Sequence, residues 1–231
     1  MNIGILGTGT VGQTLATALV AKGNRVMIGT RKVADALAKP GNNAMGLPSF
    51  GDWHRRSPDV QLGTFADAAA FGVVLINATS GVASVAALKA AGVANLGDKL
   101  LLDVANPLDF SKGMPPTLSI VNDDSLGETI QRQFPNLKVV KTLNTLAAAL
   151  MVNPAALAGE HHVFVSGNDE PAKATAKTFL TEQFGWRPAS IIDLGDITTA
   201  RGSEQLLPIW IRLWGALQTP MFNFAIVKQA L

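Results

Sequence analysis

A chain of 231 residues, 48% hydrophobic and only 16% charged, can bury a substantial core and forms one large domain or a domain with an appendage. A formal net charge of +2, from Lys and Arg scattered without interleaved aromatics, argues against a nucleic-acid surface, and zero Cys excludes disulfides, thiolate metal sites and cysteine nucleophiles. No apolar run approaches the roughly 18 residues of a membrane span, and Met1 leads straight into a strand without a signal segment, so a cytoplasmic protein acting on small molecules is expected.

The first element is a strand, Ile3-Gly4-Ile5-Leu6, which breaks at once into Gly7-Thr8-Gly9-Thr10-Val11-Gly12. A helix follows over Gln13 to Lys22, with Val11, Leu15, Ala18 and Leu19 on one face, and Gly23-Asn24 stops it before a second strand, Arg25 to Ile28. Strand, glycine turn, helix and strand make half of a dinucleotide fold. Gly7 allows the tight turn, Gly9 lets the backbone approach a pyrophosphate, and Gly12 lets the helix pack near the strand. The phosphates would rest on the unpaired N–H groups of the helix start, where the dipole favours negative charge. Thr8, Thr10 and Val11 belong to the same candidate cradle.

The end of the second strand selects the nucleotide. An NAD site usually carries a carboxylate there, about 20 residues on, to hold the ribose 2′-hydroxyl. Here the chain reads Gly29-Thr30-Arg31-Lys32 and has no carboxylate before Asp35. A hydroxyl followed by two cations suits a 2′-phosphate: Thr30 can donate to it, and Arg31 can pair with its oxygens as a fork or stack on the adenine. NADP(H) is therefore favoured over NAD(H).

Residues 32–39 have a helical pattern that Pro40-Gly41-Asn42-Asn43 ends. Gly46 to Pro58 is a polar insertion holding Trp53, His54, Arg55 and Arg56, expected as a surface loop or as a loop long enough to close over a cofactor, with the two arginines as weak candidate anion contacts. Val60 to Thr64 makes a third strand and Thr64 N-caps a helix to Phe71. Val73 to Asn77 and Leu100 to Val104 are continuous apolar runs, as central parallel strands require. They end in Ala78-Thr79-Ser80-Gly81 and Ala105-Asn106-Pro107-Leu108, with a helix over Ala83 to Ala91 between them. After an irregular stretch with Pro115-Pro116, a helix from about Asp124 to Phe134 leads to a sixth strand, Leu137 to Lys141, ending in Thr142-Leu143-Asn144-Thr145.

Ligands of open α/β sheets bind beyond the carboxyl ends of the strands. Ala78, Thr79, Ser80, Asn106, Pro107 and Asn144 stand at such ends beside the glycine turn and describe the rim for ribose and nicotinamide. Beyond Met151 a strand at His161 to Val165, a helix at Glu170 to Phe184 and a strand at Trp186 to Leu194 are expected. His161 and His162 are adjacent on a strand, face opposite ways and make no metal pair; no metal site is expected. Thr199 to Leu231 is apolar on nearly every helical face, so broad burial is expected, against the sheet, a pocket or a dimer partner.

The fold class is thus α/β, a Rossmann-type doubly wound, mainly parallel sheet with a small C-terminal α/β extension. Residues 1–148 form the dinucleotide-binding domain and 149–231 a small domain completing an acceptor cleft. With Gly29-Thr30-Arg31, Val139-Val140-Lys141-Thr142-Leu143-Asn144-Thr145, Val163 to Asp169 and the closing Leu207-Pro208-Ile209-Trp210 assembled, the chain resembles the coenzyme F420-dependent NADP oxidoreductase family. The resemblance implies direct hydride transfer between NADPH and a bound deazaflavin. The related cytoplasmic domain of STEAP-type metalloreductases suggests that a flavin, FMN or FAD, can take that role. It also implies that Thr8, Thr30 and Arg31 contact the 2′-phosphate and that Ala78 to Ser80 and Asn106-Pro107 flank the nicotinamide.

Hydride transfer between stacked rings needs no protein acid or base, and no catalytic side chain is assigned. The absence of Tyr excludes the Tyr-x-x-x-Lys arrangement of short-chain dehydrogenases. Two other readings stand beside this one: a reductase of a small carbonyl or imine, in which Lys141 has no obvious partner as a proton donor, and a non-catalytic NADP sensor. A homodimer through the apolar C-terminal segment is expected.

Overall fold

A computed structural model describes residues 1–38 and 48–229. Its framework is one eight-stranded sheet. The first three strands are β1 (Asn2–Leu6), β2 (Arg25–Thr30) and β3 (Val60–Thr64); β4 (Val74–Asn77) and β5 (Leu100–Asp103) follow. A small two-stranded ribbon, β6 (Leu108–Asp109) and β7 (Thr117–Leu118), interrupts the series before β8 (Lys138–Thr142), β9 (Val163–Ser166) and β10 (Ile191–Gly195). The spatial order is β10-β9-β8-β5-β4-β1-β2-β3. All pairings in this eight-stranded sheet are parallel except β8 with β9. The sheet direction thus reverses once, between β8 and β9, and β9 and β10 extend the sheet built by the earlier strands. The fold is Rossmann-like, as the alternation of apolar runs and helical segments predicts.

Eleven helices among the described residues flank the sheet: α1 (Thr10–Ala21), α2 (Val33–Ala38), α3 (Phe50–Arg55), α4 (Phe65–Phe71), α5 (Gly81–Ala91), α6 (Val93–Leu96), α7 (Leu126–Gln133), α8 (Ala148–Val152), α9 (Glu170–Phe184), α10 (Ala200–Gln205) and α11 (Leu207–Leu217). On one face, Leu15 and Leu19 of α1, Leu150 of α8 and Phe179 of α9 close over Ile3, Ile5, Ile28 and Val140. On the other, Ala68 of α4, Leu88 of α5 and Ile130 of α7 close over Leu6, Leu75, Leu101 and Val139. Alternate residues of each strand therefore serve alternate layers, and β4 and β5 are buried at every position. None of the described helices is long and apolar enough to cross a membrane.

Local signals placed most boundaries. Thr64 accepts from the Asp67 N–H while the Asp67 carboxylate accepts from the Thr64 N–H, a complete capping box that starts α4. Asp169 caps α9, Pro171 sits in its first turn, and Gly185 ends it in the left-handed conformation.

Three expectations are corrected. The expected surface loop at Gly46 to Pro58 contains α3, capped by Ser49, whose Phe50 and Gly51 are buried against the body of the protein. The apolar ring at its first position, rather than the polarity of the stretch, decides its packing. The pattern's stop at Pro40-Gly41-Asn42-Asn43 lies outside the described residues. The expected strand at Trp186 to Leu194 starts only at Ile191, because Pro188–Ser190 makes a 3-10 turn and Trp186 is a core anchor whose indole N–H donates 3.0 Å to the Met151 carbonyl. Finally, the closing segment is not broadly buried. In α11 only Leu207 and Trp210 are buried, and Ile209, Leu217, Met221 and Ile226 are exposed.

Candidate cofactor and active site

The glycine turn joins the end of β1 to α1, and its three glycines are distinguished by what a side chain would meet. Gly7 has φ +124° and a Cβ there would lie 2.4 Å from the Ala78 carbonyl oxygen. A Cβ on Gly12 would lie 2.2 Å from the Gly7 carbonyl oxygen. A Cβ on Gly9 would meet nothing within 4 Å. Two positions are closed by protein and the middle one faces open space, as a turn shaped to admit a phosphate requires. Gln13 Nε2 braces the turn by donating 2.9 Å to the Thr8 carbonyl. No side chain caps α1 or α5, and neither has an acidic residue in its first turn, whereas α3, α4, α7 and α9 have both. The starts of α6, α8, α10 and α11 are uncapped as well, but those of α1 and α5 lie at the glycine turn and beyond the end of β4, where they leave N–H groups and the positive dipole end for a ligand.

That open space belongs to a cavity of about 790 Å3 bordered by Gly7, Thr8, Gly9, Thr30, Arg31, Lys32, Ala78, Thr79 and Ser80. The exposed side chains of Arg31 and Lys32 make no hydrogen bond or ion pair among the described residues. A dianionic 2′-phosphate would find both cations uncommitted, so the residues present fit NADP(H). The cavity also takes in residues that pattern reading did not single out. Ala83, Ala86, Ala87 and Ala90 of α5, a stripe at helical spacing, border it together with Phe50 and Phe65, an apolar lining of the kind adenine requires. Asp35 borders it too. Alanine spacing carries no chemical signal in sequence, and α3 brings Phe50 in from the misread insertion. The arginines of that insertion are used otherwise: Arg55 pairs with Asp52, and Arg56 donates 3.2 Å to the Asp52 carbonyl.

Of the remaining expected residues, Thr10, Val11 and Gly12 lie within α1 behind the turn, and Asn106, Pro107 and Asn144 do not border the cavity, Asn106 and Pro107 lying instead against Gly81 at the start of α5. Asn106 and Asn144 bind each other reciprocally: Asn144 Nδ2 donates 2.9 Å to Asn106 Oδ1, and Asn106 Nδ2 donates 2.8 Å to the Asn144 carbonyl. Leu143, with φ +59°, takes the left-handed conformation that turns Asn144 toward its partner. A Cβ on Gly81 would lie 2.1 Å from the Asn106 carbonyl oxygen, so the β4 and β5 rims touch.

Lys141, read from sequence as partnerless, is fully buried and well partnered. Its Nζ lies 2.6 Å from Asp103 Oδ2 and 2.8 Å from Glu204 Oε1, and donates 2.7 Å to the Ala105 carbonyl. Burial would push its ammonium down, but the two carboxylates outweigh burial and hold it above the ordinary lysine value. Glu204 also accepts from the Leu126 and Gly127 N–H groups at 2.8 and 3.0 Å, at the start of α7. His161 and His162 have a clasping role. Asn223 Nδ2 lies 2.9 Å from His161 Nδ1, and the Ile226 N–H donates 3.1 Å to His162 Nδ1, pinning the C-terminal segment to the start of β9.

Substituting Gly9 and Gly12 separates cofactor space from packing. Gly9→Leu is expected to leave the thermal unfolding midpoint unchanged and abolish nucleotide binding; Gly12→Leu should lower both. Circular dichroism melting and a fluorescence titration with NADPH read the two effects.

Sheet, glycine turn, uncapped helix starts and free cations together define a Rossmann-type NADP-dependent oxidoreductase. Residues 2–107 match the family described as NADP oxidoreductase, coenzyme F420-dependent. A crystal structure of a candidate F420-dependent NADP-reductase from Arthrobacter sp. FB24 is 56% identical, matching 99% of this chain and 100% of that one with a TM-score of 0.91. The chain belongs to this coenzyme F420-dependent NADP oxidoreductase family. It is also 29% identical to the metalloreductase STEAP3 of Rattus norvegicus, over 90% of this chain but only 37% of that protein. An imine reductase from Myxococcus stipitatus in complex with NADP+ shares the fold, with a TM-score of 0.61 and 16% identity over 94% of this chain and 64% of that one.

Proposed function

We propose that the protein transfers hydride between NADP(H) and a planar ring acceptor, coenzyme F420 or a flavin. One observation carries the reading. The titratable residues bordering the nucleotide cavity are Arg31, Lys32 and Asp35, all at its adenosine end. The charged groups near the nicotinamide rim, Asp103, Lys141 and Glu204, are buried and committed to one another. A carbonyl or imine substrate needs a proton delivered to the developing anion or amine, whereas a ring acceptor brings its own proton-accepting nitrogen. The bound cofactors would supply the redox chemistry. The chain's task is to hold the pyrophosphate on Gly7 to Gly9 and α1, seat the 2′-phosphate on Thr30, Arg31 and Lys32, and keep water from the rim at Ala78 to Ser80, Asn106-Pro107 and Asn144. Met114, Pro115, Ile211, Arg212, Trp214 and Gln218 border a second hollow of about 560 Å3, partly on the loop that leaves the rim after Pro107. We assign that wall, apolar but for Arg212 and Gln218, within residues 149–231 and the loop facing them, to the acceptor.

NADPH consumption at 340 nm with F420, FMN, FAD or a cyclic imine tests this assignment. Turnover is expected with a ring acceptor and not with the imine. Turnover of the imine alone would make the protein an imine reductase, and tight NADPH binding without turnover would make it a sensor. The exposed apolar residues of α11 and beyond, together with Met114, favour a homodimer, which light scattering checks.

A further inference from the structure

At the carboxyl ends of three neighbouring strands, Asn77 of β4, Asp103 of β5 and Lys141 of β8 stand in register, side by side on one face of the sheet. All three are buried, and Asn77 and Asp103 have no exposure at all. We propose that Asp103 is a positioning residue for the cofactor: acting through Asn77, it fixes the direction of the Thr79 hydroxyl, which then meets the nucleotide cavity as an acceptor for an N–H or O–H donor of the dinucleotide. The inference rests on the reading of that cavity as the NADP(H) site.

The directions follow from which atoms can donate. Lys141 stands against Asp103 Oδ2, and the other oxygen of the carboxylate, Oδ1, accepts from Asn77 Nδ2 at 2.8 Å. A carboxylate paired with an ammonium offers no proton, so the Asn77 amide must turn its nitrogen toward Asp103. The second Nδ2 hydrogen goes to Ser84 Oγ at 3.0 Å. Asn77 Oδ1 is left facing Thr79, 2.7 Å from its Oγ1 and 3.3 Å from its N–H. An amide oxygen only accepts, so the Thr79 hydrogen is committed inward. Ser84 Oγ lies 2.8 Å from Thr79 Oγ1 against 3.4 Å from the Ser80 carbonyl, and its hydrogen occupies one of the Thr79 lone pairs. The remaining lone pair is directed away from this network, and Thr79 borders the cavity half-buried. Two donors of a dinucleotide could meet it, the nicotinamide carboxamide or a ribose hydroxyl. A reversed amide at Asn77 would make Thr79 a donor, and the selectivity of the site would invert.

The network makes a sharp test possible, because Asp103→Asn keeps size while removing the constraint. An amide at 103 can donate to Asn77, which then reverses and releases the Thr79 hydrogen toward the cavity. The full-length protein is titrated with NADPH, with its 3-acetylpyridine analogue, which has no amide N–H, and with an analogue lacking the nicotinamide-ribose 3′-hydroxyl. The wild type is expected to prefer NADPH about 2–10-fold over whichever analogue lacks the donor that Thr79 meets, the range of one net hydrogen bond. Thr79→Val should bring that ratio close to one. Asp103→Asn should do the same although Thr79 is untouched, and the double variant should add nothing further. Should Asp103→Asn fail to fold, Asn77→Leu severs the same link and is expected to erase the ratio as well. A purely structural role predicts that Asp103→Asn lowers the melting temperature and weakens all three ligands alike, with the ratio intact; that result overturns the proposal, as does an unchanged ratio in Thr79→Val. Failure of the wild type to bind NADPH at all would instead remove the cofactor reading on which the proposal stands.

Discussion

Lys141→Met is expected to cost about 3–5 kcal/mol of stability, the range for breaking a buried ion pair by removing one partner. At this chain length that corresponds to roughly 6–20 °C in the unfolding midpoint, measured by calorimetry. The reason is the company Lys141 keeps. Asp103 and Glu204 are each buried, and without the ammonium two carboxylates face one another under the rim. The Leu126 and Gly127 N–H groups still donate to Glu204, but Asp103 Oδ2 has no hydrogen bond to replace the lost cation. A neutral triple variant, Lys141→Met with Asp103→Asn and Glu204→Gln, should recover most of the loss, since it removes the stranded charges together with the pair. The pH dependence has a definite sign. The Lys141 ammonium is held above its ordinary value, so its contribution is complete below about pH 10.4 and is withdrawn only as pH rises through the higher folded value. Wild type and Lys141→Met therefore differ fully at neutral pH and converge in strong alkali. A midpoint within 2 °C of wild type at neutral pH would show that Glu204 and Asp103 have another neutralising partner.

The parts legible in the sequence are those where chemistry leaves few residue choices. Gly7, Gly9 and Gly12 have distinct duties in the sequence pattern, and the contacts a Cβ would make separate them in the same way. The parallel core was legible for a similar reason, since only strands covered on both faces read as uninterrupted apolar runs like Leu100 to Leu102. Illegible features depend on partners distant in the chain. Lys141 reads as a lone cation at a strand end because its carboxylates come from a neighbouring strand and from α10. The α5 alanines say only that something lies close; that it is a cavity bordered also by Phe50 and Phe65 follows from where α3 and α4 lie. Composition also misled in α11. Its apolar residues announce a demand for cover, but not whether the cover comes from this chain.

Arg31→Ala is expected to weaken NADPH binding by about 1.5–3 kcal/mol, roughly 10–150-fold, while NADH binding changes little. The 2′-phosphate is the group by which the two nucleotides differ, and Arg31 is an exposed guanidinium on the cavity with no competing partner among the described residues. Arg31→Lys should keep part of the affinity, because an ammonium retains the charge but not the two-pronged geometry. Lys32→Ala should cost less than Arg31→Ala for the same reason. Asp35 supplies an internal check: its carboxylate borders the cavity, so Asp35→Asn should strengthen NADPH modestly by removing a like charge near the phosphate. Because these groups are solvent-exposed, the Arg31 effect should shrink as salt is raised from 0.01 to 0.5 M, where the screening length falls from about 30 Å to a few ångströms. Equal weakening of NADPH and NADH in Arg31→Ala would make the guanidinium a support for the adenine pocket, and the phosphate would have to be held by Thr30 and the backbone alone.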